Sequence, residues 1–224
     1  MSASLPGELR RYLAYSYPHN HDYRVLGRRL WPRWRLWRRL RRLRGPLEGA
    51  PRELLDLSSC KGFFVLDAAR HPACERTLGI DVHRPDLEAS RAVAAHLGLE
   101  RARFEELTLG QLAGRIEEFG GPFAAALLVN TYPYLYFGSP RSEDHLPDHD
   151  GLFEQLATVV SGRLVFSNRV ELDALPSNVR RRAQELGLEA GYDTDTVLAA
   201  AERHFRVRVE RPLGRIPLWV LDRR

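Results

Sequence analysis

From residue 52 onward, short apolar segments alternate with segments of helical periodicity, and this alternation constrains the fold more than any other feature. The pattern predicts strands at 52–57, 77–82, 102–106, 123–130 and 163–168, with helices near 63–70, 86–97, 109–119 and 151–160. Repeated strand–helix units form a parallel sheet, because each crossover helix returns the chain to start the next strand in the same direction. We therefore expect helices on both faces of a parallel sheet.

The C-terminal part of the sequence departs from this alternation. Helical stretches at about 176–187 and 194–204 precede "FRVRVERPLGRIPLWVLDR", in which two β segments flank a turn containing Pro212 and Gly214. A connection this short makes the two strands antiparallel. The expected fold class is α/β: a Rossmann-like, doubly wound, mostly parallel sheet of seven strands that ends in an antiparallel hairpin, with an N-terminal helical extension.

The charge is distributed unevenly along the chain, whose formal net charge is +5. Residues 1–47 contain twelve arginines but only Glu8 and Asp22 as acidic residues, a balance of +10, which leaves −5 for the remainder. The sequence therefore predicts a basic helical extension over 1–47, as a lid or interaction segment. The chain of 224 residues is long enough for one domain of ordinary size with its own core, and we expect residues 48–224 to form that domain.

The two cysteines, Cys60 and Cys74, have no zinc-type spacing and are too few for a disulfide framework. The segment "MSASLPGELRRYL" lacks the apolar core of a signal peptide, and no segment approaches the ~20 apolar residues of a membrane span. We therefore expect a cytoplasmic protein without a membrane span.

Two strand ends in the predicted sheet carry an acidic residue. "LLDLSSCKGFFVLDAA", residues 54–69, is a strand ending at Asp56, a tight turn and a helix, and "TLGIDVH" is a strand ending at Asp81. Ligands of α/β sheets bind at the carboxyl ends of the strands. Asp81 lies nineteen residues beyond Gly62, close to the roughly 20 residues that separate the turn from the ribose-binding carboxylate in dinucleotide folds.

Over about residues 50–224, this arrangement resembles the class I S-adenosylmethionine-dependent methyltransferases. Their pattern of an acid followed by three alternating glycines becomes Asp56-x-Ser58-x-Cys60-x-Gly62, which keeps only the last glycine. The resemblance implies S-adenosylmethionine as cosubstrate, with its amino acid end on the turn and its ribose on Asp81.

The same resemblance implies that Ile80 or Val82 contacts the adenine face, and that Glu105 or, preferably, Glu106 contacts the adenine amino group. Only one of the two glutamates can face the ligand, because successive side chains of a strand point to opposite faces. The full set of predicted cofactor-binding residues is Asp56, Ser58, Ser59, Cys60, Gly62, Asp81, Val82, Glu106 and Asn130.

The segment "NTYPYLYFGSPRSEDHLPDHDG" begins where the fourth predicted strand ends, which the resemblance places beside the transferable methyl group. Tyr132, Tyr134 and Tyr136 recur at period two after Asn130. As predicted substrate-binding residues, they would enclose the sulfonium by cation–π attraction or stack on a flat substrate. The alternative is that they pack the loop against the body of the protein with their hydroxyls in water.

The same segment contains His145, Asp148, His149 and Asp150, for which three interpretations stay open. The group could bind a divalent metal. A histidine could act as a general base oriented by a carboxylate, with His149 and His145 as the catalytic candidates. In the third interpretation the loop is exposed, and Asp148 or Asp150 caps the helix that follows. Our prediction is His149 and His145 as catalytic residues and no metal.

The basic segment "RVLGRRLWPRWRLWRRLRRLRG" predicts a helix with Pro32 in its first turn. Its expected stripe consists of Trp34, Trp37, Leu40 and Leu43 or Arg44. Such a helix could cover a substrate cleft or form a dimer contact, bind an anionic small substrate or RNA, or lie on an anionic membrane surface.

The expected activity is methyl transfer from S-adenosylmethionine to a small-molecule acceptor. One alternative is an RNA methyltransferase that binds its substrate through the arginine segment. The other is a non-catalytic binding or regulatory protein that kept the fold. A homodimer is a further predicted assembly.

Overall fold

The structure is a computed structural model that describes residues 4–47, 51–142, 144–213 and 216–224. The chain divides into two compact units, Met1–Glu106 and Leu107–Arg224. In the described residues, no helix has both the length and the apolar character needed to span a membrane.

The first unit begins with elements that precede the predicted sheet. Helix α1 (Gly7–Tyr15) and a 3-10 turn (His19–His21) are followed by an antiparallel hairpin of β1 (Tyr23–Leu26) and β2 (Arg29–Pro32), and by helix α2 (Trp34–Leu43). The hairpin was not predicted. Pro32 pairs with Tyr23 at the end of β2, so its predicted place in a helix was wrong. A strand end tolerates proline because no ladder hydrogen bond is lost there.

Helix α2 buries a stripe that differs from the predicted one. Leu36, Arg39, Leu40 and Leu43 are buried, whereas Trp34 and Trp37 are 65% and 37% exposed. The prediction was therefore correct for the two leucines and wrong for the two tryptophans. Leu36, Leu40 and Leu43 have the i, i+4, i+7 spacing of one helix face, and the indole rings stack on each other outside it, with centroids 5.2 Å apart.

The remainder of the first unit consists of strand–helix repeats. These are β3 (Glu53–Asp56), α3 (Phe63–Ala69), β4 (Arg76–Asp81), α4 (Arg84–Leu97) and β5 (Ala102–Glu106). β4 pairs in parallel with β3 on one side and with β5 on the other. Leu54, Leu55, Leu78 and Ile80 are almost fully buried, as expected for strands covered on both faces.

The second unit starts with α5 (Leu109–Ala113), a 3-10 turn (Ile116–Phe119), β6 (Phe123–Val129), α6 (Tyr132–Phe137), α7 (His149–Val159) and β7 (Val160–Ser167). It continues with a 3-10 turn (Leu172–Ala174), α8 (Ser177–Leu186), α9 (Thr194–His204), β8 (Phe205–Leu213) and β9 (Ile216–Arg223). β6 and β7 are parallel, and β9 is antiparallel to both β7 and β8.

The seven strands β3 to β9 form one mixed sheet in the order β5-β4-β3-β6-β7-β9-β8. Only β9 runs against the others, because the short β8–β9 connection reverses the chain. The predicted α/β class, the mostly parallel seven-stranded sheet and the C-terminal antiparallel hairpin are confirmed. Pro212 lies in β8, and Gly214 lies outside the described residues.

Candidate functional site

The turn between β3 and α3, residues 57–62, contains two residues with left-handed backbone, Cys60 at φ 49° and Gly62 at φ 73°. A Cβ on Gly62 would lie 2.5 Å from Ser90 Oγ and 2.7 Å from the Phe104 ring, so packing also requires glycine there. Cys60 has a Cβ, and this conformation costs a non-glycine residue roughly 1–3 kcal/mol. The surroundings of the turn must therefore hold Cys60 in place.

Asp81, at the end of β4, provides one of these restraints. Its Oδ2 accepts a hydrogen bond of 2.8 Å from the Cys60 backbone N–H, and its Oδ1 accepts one of 2.9 Å from the His83 N–H. A hydrogen bond therefore joins the turn that follows Asp56 to Asp81, the second acidic strand end identified from the sequence. A carboxylate oxygen can accept more than one hydrogen bond, so these two contacts are compatible with the predicted role of Asp81 in binding ribose hydroxyls.

Two buried polar atoms at the turn have no hydrogen-bond partner among the described residues: Asp56 Oδ2 and Ser59 Oγ. Asp56 Oδ1 accepts a 3.3 Å hydrogen bond from the Ser58 N–H. Burial raises the pKa of Asp56 to about 7. A polar ligand with donors would satisfy both atoms, and the ammonium and hydroxyl groups of S-adenosylmethionine are such donors.

The other predicted cofactor-binding residues lie at the ends of β4, β5 and β6. Val82 is half-buried directly after β4, and Glu106 is exposed at the end of β5, in register with Asp81. Glu105 is half-buried and lies within 3.8 Å of Arg91. Asn130 follows β6 with a left-handed backbone at φ 61°. The roles of these residues stay predictions.

Lys61, at the centre of the turn, was not predicted as a site residue. Its side chain is fully buried, and its Nζ contacts Asp22 Oδ1 and the Ser16 carbonyl oxygen, both at 2.6 Å. Lys61 is the only lysine of the chain, which could have drawn attention to it, but the sequence does not identify Asp22 as its partner.

Asp86, in the first turn of α4, is a second site residue that was not predicted. Its Oδ1 accepts a 2.6 Å hydrogen bond from the Tyr12 hydroxyl, and its Oδ2 lies 2.7 Å from His83 Nδ1. The Cys60 thiol also contacts Asp86 Oδ2, at 3.5 Å. Asp86 thus connects α1 with the turn that follows β3.

In the second unit, helix α6 determines where the three predicted tyrosines lie. Tyr132 and Tyr136 are buried on one helix face, because they are four residues apart, whereas Tyr134 is half-buried on another face. Asn168 Oδ1 accepts the Thr131 and Tyr132 N–H groups at 2.7 and 2.9 Å and so fixes the start of the helix. Of the three tyrosines predicted to bind substrate, Tyr132 and Tyr136 share a helix face and Tyr134 does not.

His149 is buried beside these two tyrosines, and both of its ring nitrogens have partners. Nε2 lies 3.1 Å from the Gly191 carbonyl oxygen, which can only accept, so Nε2 carries the proton. Nδ1 therefore accepts the 2.7 Å hydrogen bond from the Tyr132 hydroxyl. Burial lowers the pKa of His149, which favours this neutral form.

The remaining polar residues of the predicted loop have separate positions. Asp148 caps α7 by accepting the Asp150 N–H, and Asp150 lies 3.0 Å from His204 and 3.1 Å from Arg203. His145 is half-buried. In the part of the chain that the structure describes, no three His, Cys, Asp or Glu side chains form a group that could hold a metal ion.

The outer face of α2 combines exposed indoles with arginines. The Arg38 guanidinium lies 5.8 Å from the Trp34 ring and the Arg41 guanidinium 4.8 Å from the Trp37 ring. RNA and a second copy of the chain stay predicted partners for this basic segment.

Solved structures similar to the chain include the N-terminal domain of EvdMO1 with SAH (S-adenosylhomocysteine) bound, at a TM-score of 0.55 and 20% identity, covering 83% of this chain and 80% of that domain. WbdD, described as a bifunctional kinase-methyltransferase, has a TM-score of 0.56 and 15% identity over 83% of this chain. The chain spans only 38% of that WbdD chain and 40% of the longer EvdMO1 chain. No family model and no curated protein sequence matches the chain.

Proposed function

We propose that this chain, which has the fold of the class I S-adenosylmethionine-dependent methyltransferases, binds S-adenosylmethionine and transfers its methyl group to a small-molecule acceptor. The observation that carries the proposal is the hydrogen bond between the Cys60 N–H and Asp81, because it places a strand-end carboxylate against a strained turn at the usual ligand-binding edge of such a sheet. A neighbour solved with SAH supports the same assignment.

The residues of the first unit fit the cosubstrate. The turn 57–62 with Asp56 would hold the amino acid end, since Asp56 Oδ2 and Ser59 Oγ are buried polar atoms without a partner among the described residues. Asp81 would accept the ribose hydroxyls, and Val82 and Glu106 would contact the adenine. When bound, S-adenosylmethionine supplies a sulfonium that already activates the methyl group. The protein then contributes mainly alignment of the acceptor.

For the second unit we assign two kinds of role. Tyr134 and His145 are half-buried and therefore accessible to an acceptor, so they are the proposed substrate contact and proton acceptor. Tyr132, Tyr136 and His149 are buried against one another, and their proposed role is to position the α6 segment that begins after Asn130. The predicted catalytic role of His149 would require one of its ring nitrogens to exchange partners.

The class of acceptor is the finer part of the proposal. The N-terminal domain of EvdMO1 has also been solved in the presence of SAH and D-fucose, which supports a small hydroxylated molecule as acceptor. RNA methylation would instead rely on the basic α2 segment. Salt-dependent RNA binding that is lost when Arg38 and Arg41, on the exposed face of α2, are replaced with glutamine would favour RNA.

Calorimetric titration of the full chain with S-adenosylmethionine and with SAH tests the cosubstrate assignment. We expect both to bind, and SAH to be released when the protein is incubated with S-adenosylmethionine and a panel of sugars. Failure of both ligands to bind at millimolar concentration would contradict the assignment. Binding without turnover on any acceptor would favour the non-catalytic alternative.

A further inference from the structure

Lys61 connects the turn 57–62 to the N-terminal residues 12–23, which we call the strap. The Lys61 side chain is 0% exposed and that of Asp22 is 2% exposed, and their charged atoms lie 2.6 Å apart. Lysine is almost never fully buried unless it is paired. Asp22 Oδ2 also lies 3.6 Å from Arg33 Nη1 and 3.2 Å from His19 Nδ1, so it keeps polar contacts when Lys61 is replaced. Replacing Asp22 alone would leave the buried Lys61 ammonium without its carboxylate, so the two residues are replaced together.

The strap contacts the turn and its neighbour at three further points. The Tyr23 hydroxyl donates to the Lys61 carbonyl oxygen at 2.8 Å, and the Ser16 carbonyl oxygen accepts from Lys61 Nζ at 2.6 Å. The Tyr12 hydroxyl donates to Asp86 Oδ1, whose other oxygen contacts the Cys60 thiol. Both the main chain and the side chain of Lys61 are therefore fixed by the strap.

This attachment lies next to the strained residue of the turn. Cys60 has a left-handed backbone that a side chain disfavours, and its N–H must point at Asp81 for the 2.8 Å hydrogen bond to form. Such conformations persist only where the surrounding structure imposes them. The restraint on the residue that follows Cys60 is provided by the strap.

We propose that Lys61 and Asp22 are positioning residues for the cosubstrate: their ion pair fastens the strap to the turn and thereby keeps the Cys60 N–H directed at Asp81. The inference rests on the proposed function only in treating this turn as the cosubstrate-binding turn. The attachment of the strap can be measured without any ligand.

The two cysteines of the chain allow this measurement. Cys60 is 7% exposed and directly precedes Lys61, and Cys74 is 1% exposed in the segment between α3 and β4, in which none of the strap contacts described above lies. The test uses the full chain with Asp22→Asn and Lys61→Met combined, which removes both charges. Glu53→Gln, which weakens the 2.9 Å ion pair with Arg76 in the same unit, is the matched control. Alkylation of each thiol by iodoacetamide is followed by mass spectrometry.

In the double variant we expect Cys60 to react about tenfold faster or more, Cys74 to react at its original rate, and SAH affinity to fall about tenfold, a change of roughly 1.4 kcal/mol. The Glu53→Gln variant should match the parent in its Cys60 rate, its Cys74 rate and its SAH affinity. A faster Cys60 reaction would report opening and not a chemical change of the thiol. Burial and the Asp86 and Asp81 carboxylates raise the pKa of Cys60, and the Lys61 charge opposes this rise, so loss of that charge alone would slow alkylation.

An unchanged Cys60 rate, or equal acceleration of both thiols, would overturn the proposal, and so would unchanged SAH affinity in a variant whose Cys60 is faster. If the double variant does not fold, Lys61→Met alone removes the ion pair while Asp22 keeps its contacts with Arg33 and His19, and the same criteria apply to it. Should the parent bind neither SAH nor S-adenosylmethionine, the proposed function fails, while the thiol rates still decide whether the ion pair holds the strap.

Discussion

The Cys60 backbone N–H donates a 2.8 Å hydrogen bond to Asp81 Oδ2, across 21 residues of sequence. This bond joins the turn after β3 to the end of β4. Asp81 consequently has two roles to test: it restrains the turn, and in the proposed function it binds the ribose.

Replacing Asp81 with alanine should weaken SAH binding by one to a few powers of ten, each worth about 1.4 kcal/mol. The free energy of unfolding should also fall by about 1–2 kcal/mol, because the Cys60 and His83 N–H groups lose their acceptor. Calorimetry and urea unfolding measure the two effects. Glu88→Ala, which removes an exposed carboxylate from α4, is the control. Unchanged SAH affinity in a folded Asp81→Ala protein would refute the ribose assignment.

The raised pKa of Asp56 makes stability depend on pH. Because this pKa is about 7 in the folded protein and near 3.9 when unfolded, the folded state binds more protons between these values, and stability falls as pH rises through this window. Asp56→Asn should remove a loss on the order of 4 kcal/mol between pH 4 and pH 8. Urea unfolding across this range tests it, and parallel pH profiles for parent and variant would contradict it.

The Tyr132 hydroxyl is predicted to stabilise the buried, neutral His149. Tyr132→Phe keeps the ring but leaves Nδ1 of His149 without its donor, which should cost about 1–3 kcal/mol of unfolding free energy. Tyr136→Phe is the matched control: its ring also stacks on His149, but the two ring nitrogens of His149 contact the Tyr132 hydroxyl and the Gly191 carbonyl oxygen. Equal losses in the two variants would argue against this role of the hydroxyl.

The orientation of α2 can be tested by comparing an exposed with a buried position. Leu36→Ala should cost about 2–5 kcal/mol, because Leu36 is fully buried. Trp34→Ala should cost no more than about 1 kcal/mol, the value of its stacking on Trp37. Urea unfolding followed by circular dichroism avoids the change in tryptophan fluorescence. A larger loss of unfolding free energy for Trp34→Ala than for Leu36→Ala would contradict the finding that Leu36 lies on the buried face of α2 and Trp34 on the exposed face.

The order of strands and helices after residue 52 followed from the sequence, because local periodicity records which positions are buried. The same reasoning located Asp56 and Asp81 at strand ends, and parallel strands bring such ends to one edge of a sheet. Before residue 48, local periodicity predicted the secondary structure less well. The β1–β2 hairpin consists of two strands of only four residues each, too short for alternation to stand out among the arginines and tryptophans of this segment.

Which partner each polar residue meets was decided only by the tertiary structure. Lys61 and Asp22 are 39 residues apart, and His149 reaches the Gly191 carbonyl across 42 residues. Nothing in the local pattern distinguishes a buried lysine in a turn from an exposed one. The free energy of burying a lysine depends on whether folding brings an opposite charge close to it. The sequence alone thus determined the sheet and the edge where we predict that a ligand binds. Folding determined which residues of the N-terminal strap contact that edge, because buried charges and hydrogen bonds are satisfied by residues distant in the chain.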